Sequence, residues 1–105
     1  MGYTTRYELA IDSQNSLEII GNLRREVDYA ETAIDENGDT QEECKWYNHE
    51  KDMKGFSKNY PELLFTLKGE GEEYPDIWTK YFMNGKMQRV DAVISFDQFD
   101  KDKLE

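Results

Sequence analysis

Asn84-Gly85 sits between two runs of alternating residues, and no other dipeptide in the chain restricts the fold so strongly. A two-residue hairpin loop needs positive φ at both central positions, which Asn and Gly tolerate. The flanking runs, 76–83 and 86–96, are therefore expected to pair antiparallel. The short loop fixes their register, with Phe82 opposite Met87, Lys80 opposite Arg89 and Trp78 opposite Asp91. One face of this hairpin carries Ile77, Thr79, Tyr81, Val90, Ala92, Ile94 and Phe96. As the more apolar set it is expected to face the core, leaving Trp78, Lys80, Phe82 and Arg89 on an open sheet surface.

The rest of the chain supplies partners for that hairpin. Residues 3–12 alternate, with Tyr7, Leu9 and Ile11 on one side, and read as a half-buried strand. Asp12, Ser13 and Ser16 offer capping oxygens before a helical stripe of Leu17, Ile20, Leu23 and Val27. Gly21 within that stripe costs about 1 kcal/mol relative to Ala and is expected where the helix approaches the sheet closely. From Tyr29 the pattern gives way to an acidic loop with a turn at Asn37-Gly38, then a short strand over 44–47. Asn48 is placed to cap a second helix with Glu50 in its first turn and an apolar stripe of Met53, Phe56 and Tyr60, ended by Pro61. Leu63, Phe65 and Leu67 open another strand, and the stretch GEGEE over 69–73 reads as the wide turn or bulge that follows it. The expected fold is α+β, an antiparallel β-sheet packed on one face by two helices. It forms a single domain over 1–105, with 96–105 as a polar tail.

Charge narrows the partners. Thirteen basic residues against twenty-three acidic ones leave a formal net charge of −10. A field of that sign repels nucleic-acid backbones and anionic lipid and suits a basic protein surface. The carboxylates concentrate in two clusters: Asp35, Asp39, Glu42 and Glu43, and Glu70, Glu72, Glu73 and Asp76. These are the candidate contacts, with Trp78 and Phe82 as aromatic anchors. Asp35, Asn37 and Asp39 open like a calcium loop, but Thr40 stands where the sharp turn wants Gly and Trp46 where a bidentate Glu belongs. The one cysteine, Cys44, and the one histidine, His49, lack the further ligands of a zinc site and the third group of a catalytic triad. Cys44 then reads as a packing residue and His49 as a surface one. No metal, cofactor or catalytic residue is expected. A lone cysteine fits a reducing cytosol, and no run approaches the roughly 18 apolar residues of a membrane span.

Residues 44–88 resemble a pattern found in small proteins of phages and bacteria: Lys45-Trp46-Tyr47 with His49-Glu50, Asp52-Met53, Phe56-Ser57, Gly69-Glu70-Gly71-Glu72, and 76–86. The resemblance implies an α+β domain in a phage or mobile-element setting and carries no assigned reaction. Together these features lead to the expectation of a non-enzymatic protein that inhibits a host defence or nucleic-acid-processing protein through an acidic, DNA-mimicking surface. The alternative expectation is a small-ligand or nucleotide binder using the sheet face around Trp78 and Phe82.

Overall fold

The computed structural model describes residues 3–73, 75–92 and 98–104. Strand β1 (Thr5–Ile11) is followed by helices α1 (Ser16–Glu26), α2 (Asp28–Ala33) and α3 (His49–Ser57). Strands β2 (Phe65–Gly71), β3 (Ile77–Met83) and β4 (Lys86–Asp91) come next, and Lys101–Lys103 forms an exposed 3-10 turn. The strands pair antiparallel in the order β1-β2-β3-β4, so the chain has the expected α+β class with a meandering sheet.

The hairpin register is the expected one, Phe82 opposite Met87, Lys80 opposite Arg89 and Trp78 opposite Asp91. Asn84 and Gly85 take φ of 47° and 79°, the backbone that the two-residue loop requires. The faces, however, are reversed. Trp78, Lys80 and Phe82 point into the core at 6%, 3% and 0% exposure. Ile77, Val90 and Ala92 are exposed, Thr79 and Tyr81 half-buried, and Ile94 and Phe96 lie outside the described residues. The physical reason is the pairing with the strands on the other side. Phe65 stands opposite Phe82, Leu67 opposite Lys80 and Gly69 opposite Trp78, and β1 extends the same rows with Ile11, Leu9 and Tyr7. Two inward apolar rows on β1 and β2 set the face, and the hairpin's own composition yields to them. At the third row the Trp78 indole lies over Gly69, where a Cβ would come within 2.1 Å of the ring.

The helices complete the inner layer. In α1 the buried residues are Ile19, Ile20 and Leu23, whereas Leu17 is 61% exposed, so the apolar stripe is rotated from the expected one. The cap position is Asn15, whose N–H donates to the Ser13 hydroxyl, and Gly21 has no sheet atom within contact distance of an added Cβ. Helix α2 was not evident from the pattern. A single extended residue, Val27, separates it from α1, and its inward face is Ala30 and Ala33, both fully buried. Asn48 caps α3 by position but without a side-chain hydrogen bond, Met53 and Phe56 are buried, and the helix ends at Ser57, ahead of Tyr60 and Pro61. The Ser57 hydroxyl accepts from the Gly85 N–H at 2.8 Å, which ties α3 to the hairpin turn.

A buried cation holds the same helix to the sheet. The Lys80 ammonium lies 2.5 Å from His49 Nε2, 2.9 Å from Glu50 Oε2 and 4.2 Å from the centre of the Trp78 ring. These three contacts account for its three donors. His49 Nδ1 faces the Trp46 carbonyl at 2.9 Å, which assigns the proton to Nδ1 and leaves Nε2 to accept from Lys80. The imidazole stacks on Trp78 with a 10° interplanar angle. His49 is thus a half-buried member of this cluster and not the surface residue expected from sequence. Burial is the main cause that holds its pKa below the ordinary value, the Trp46 carbonyl opposing and the Lys80 charge adding to the depression. The hydrogen bond from Lys80 holds the Glu50 carboxyl below its ordinary value.

Candidate protein-binding surface

Two strands lie at the edges of the sheet, and they are treated differently. The outer edge of β1 is covered by the acidic segment 35–44, which runs beside it as an irregular extra strand. The Leu9 N–H donates to the Gly38 carbonyl at 2.7 Å, the Thr40 hydroxyl donates to the Tyr7 carbonyl, and Thr5 and Cys44 exchange backbone bonds of 2.9 and 3.2 Å. Gly38 makes this approach possible. Its φ is +87°, and a Cβ there would lie 2.3 Å from the Leu9 carbonyl oxygen. The turn is held from within by the Asp35 carboxylate, which accepts from the N–H groups of Asn37 and Asp39 at 2.8 and 3.1 Å.

This arrangement joins the two acidic clusters. Glu43 hangs from the covering segment beside Thr5, and Glu70 stands opposite Arg6 on the far side of β1. Thr4, Arg6, Glu43, Glu70, Gly71 and Glu72 line one shallow depression of about 320 Å³. Arg6 Nη1 is 3.7 Å from the Glu43 carboxylate, with both side chains more than half exposed, a weak pair that leaves the local charge negative. Between the Thr5 and Leu9 contacts the segment follows β1 for about 14 Å of strand rise. Its exposed carboxylates, Glu42, Glu43 and Asp39, therefore form a rim along that edge.

Not every candidate carboxylate is free to meet a partner. Glu72 accepts from the Thr4 N–H and hydroxyl at 2.5 and 2.6 Å, and these bonds hold its pKa below the ordinary value. Asp76 accepts from the Tyr3 hydroxyl at 2.5 Å, raising the pKa of that phenol. With Asp35 occupied in its turn, three of the eight acidic candidates hold local structure, while Asp39, Glu42, Glu43, Glu70 and Glu73 present outward. The GEGEE stretch is also divided. Gly69, Glu70 and Gly71 belong to β2, and the turn begins only at Glu72.

Trp78 and Phe82, expected as exposed anchors, are core residues, because the β2 pairing turns their face inward. Phe82 nonetheless borders a depression of about 460 Å³ beside the hairpin turn, with Leu64, Tyr81 and Met87. Cys44 is half-buried against the core, and burial pushes its thiol pKa up. Among the described residues no group of three or more His, Cys, Asp or Glu is placed to hold a metal, and no helix is long and apolar enough to cross a membrane. The sequence reading passed over the Lys80–His49–Glu50 cluster. Its only linear signs were the His-Glu pair at a helix start and a lysine in the middle of an aromatic strand. The chain matches no protein-family model, no curated protein and no solved structure.

Proposed function

We propose that this chain is a non-enzymatic binding protein that presents its acidic rim to a basic protein surface. One observation carries the proposal: segment 35–44 is laid along β1 so that Glu43 shares one shallow depression with Glu70 and Glu72, joining clusters distant in sequence on one sheet edge. Carboxylates carried on the ordered backbone of a sheet edge attract cationic partners at long range. The resemblance over residues 44–88 to small phage and bacterial proteins makes a host defence or nucleic-acid-processing protein the fitting partner class, its phosphate-binding cleft occupied by carboxylates in place of a nucleic-acid backbone. The exposure of the carboxylates supports a division of roles within this reading. Asp39, Glu42, Glu43, Glu70 and Glu73 are the contacts, and Glu72, Asp76 and Asp35 support them.

Capture from a bacterial lysate on the immobilised protein tests this reading. The expected partner is basic, is released by rising salt, and is displaced by added duplex DNA. The triple variant E42Q/E43Q/E70Q keeps the fold and loses the capture. A partner retained at high salt, or held equally by the triple variant, would contradict the proposal.

A further inference from the structure

The opposite edge of the sheet is built for a different occupant. Strand β4 is bounded on one side by β3 and, among the described residues, by nothing on the other. Met83 and Lys86 close the two-residue loop, and hydrogen-bonded pairs alternate from there. Gln88 and Val90 therefore bond inward to β3, a pattern continued by the Ala92 N–H donating to the Ile77 carbonyl at 2.9 Å. Met87, Arg89 and Asp91 turn their N–H and C=O groups outward. Three such residues, spaced about 6.8 Å apart, offer the donor–acceptor pattern that a polypeptide strand complements. A DNA backbone supplies acceptors only and does not match it.

The surroundings of this edge are basic in a chain whose net charge is −10. Helix α3 packs over β3 and β4 and carries Lys51 and Lys54, with Lys58 directly after its last residue, all exposed. Lys51, Lys54 and Lys58, with Glu50 as the one acid, line a depression of about 550 Å³ that reaches Gly85 at the hairpin turn. Arg89 stands on the same side of the sheet, exposed, with its guanidinium 2.9 Å from Asp91 on its own strand. Lys86 lies at the turn end of the strand. The β1 edge, by contrast, is sealed by a segment of this chain. An edge whose outward N–H and C=O groups have no partner among the described residues can take another strand, and the lysines of the neighbouring helix give it a preference for acidic ones.

We propose that β4 is a docking edge for an extended acidic peptide segment of a partner protein, which adds as a fifth strand beside α3. Its backbone pairs with Met87, Arg89 and Asp91, and its carboxylates meet Lys54, Lys58 and Arg89. The site lies at the other end of the sheet from the acidic rim and does not depend on it.

The test uses two labelled nine-residue peptides, one alternating Val with Glu and one alternating Val with Lys, titrated by fluorescence anisotropy. The acidic peptide is expected to bind, and the basic one to bind at least tenfold more weakly. Hydrogen exchange is expected to show the amides of Met87, Arg89 and Asp91 becoming at least tenfold slower only with the acidic peptide. Arg89→Pro removes one outward N–H at a position where an edge strand tolerates proline, and is expected to weaken binding at least tenfold. Lys54→Glu with Lys58→Glu, which leaves the backbone untouched, is expected to do the same. Equal binding of both peptides, binding without slowed exchange at these amides, or no binding would overturn the proposal. So would protection of the amides without peptide in a protein of twice the monomer mass, since a second copy would then be the occupant.

Discussion

Gly69 shows how much of this fold rests on a single missing side chain. It faces the core between Leu67 and Gly71, and the space a Cβ would take is filled by the Trp78 indole. Alanine ordinarily strengthens a strand by about 0.5–1 kcal/mol relative to glycine. Here overpacking against a buried ring outweighs that gain, and Gly69→Ala is expected to destabilise by about 1–3 kcal/mol. Urea denaturation measures it, and a variant as stable as the parent would show that the indole has room to move. The same scale separates the carboxylates that hold structure from those that present charge. Glu72→Gln removes an acceptor whose charge strengthens two bonds from Thr4 and is expected to lower the melting temperature. Glu42→Gln touches no internal partner and is expected to leave it unchanged; thermal unfolding of the pair decides.

At the scale of elements, α3 is held to the sheet by a cation that ordinary burial would exclude. Removing its carboxylate through Glu50→Gln leaves Lys80 with neutral partners and is expected to destabilise, whereas Lys80→Met combined with Glu50→Gln removes both charges together. By that logic the double variant is expected to be more stable in urea than Glu50→Gln alone. The histidine adds a pH dependence. Its folded pKa lies below the free value of 6.5, so the folded protein takes up this proton less readily than the unfolded chain. The resulting stability is complete above 6.5 and is lost as pH falls through the folded value. Glu50, also depressed, adds a loss of the same sign at pH below 4.5. The urea midpoint should drop between pH 7 and pH 5, and His49→Gln should flatten that drop; a parent midpoint constant over the interval would contradict the assignment. Elements also mark where sequence stopped being informative. The Asn84-Gly85 register was legible because a two-residue loop is a local constraint. The inward face was not, since it is set by β2 and β1 through pairs distant in sequence, such as Leu9 with Leu67. Lys80 on that face made the correct side look polar. Helix α2 left no apolar stripe because its inward residues are alanines.

Over the whole molecule, the sheet separates two opposite electrostatic edges. Along β1 a segment of the chain seals the backbone and exposes carboxylates; along β4 the outward backbone groups have no partner among the described residues, and lysines stand on the neighbouring helix. Both acidic clusters could be read from composition alone, but their meeting could not, because it depends on Thr5 pairing with Cys44 while Arg6 pairs with Glu70. Gly38 is the hinge of that arrangement. Gly38→Ala meets both a positive φ and the Leu9 carbonyl, and is expected to loosen segment 35–44 from β1. Faster hydrogen exchange at the Leu9 amide would register it, and unchanged exchange would show that the edge is held without this contact. The most direct measurement of the central claim is the association rate of the captured basic partner as ionic strength is raised from 0.02 to about 0.5 M, where screening shortens the reach of charge to a few ångströms. An acidic rim that recruits its partner predicts a steep fall, flattened in E42Q/E43Q/E70Q. A rate independent of salt, with parent and variant superimposed, would contradict it.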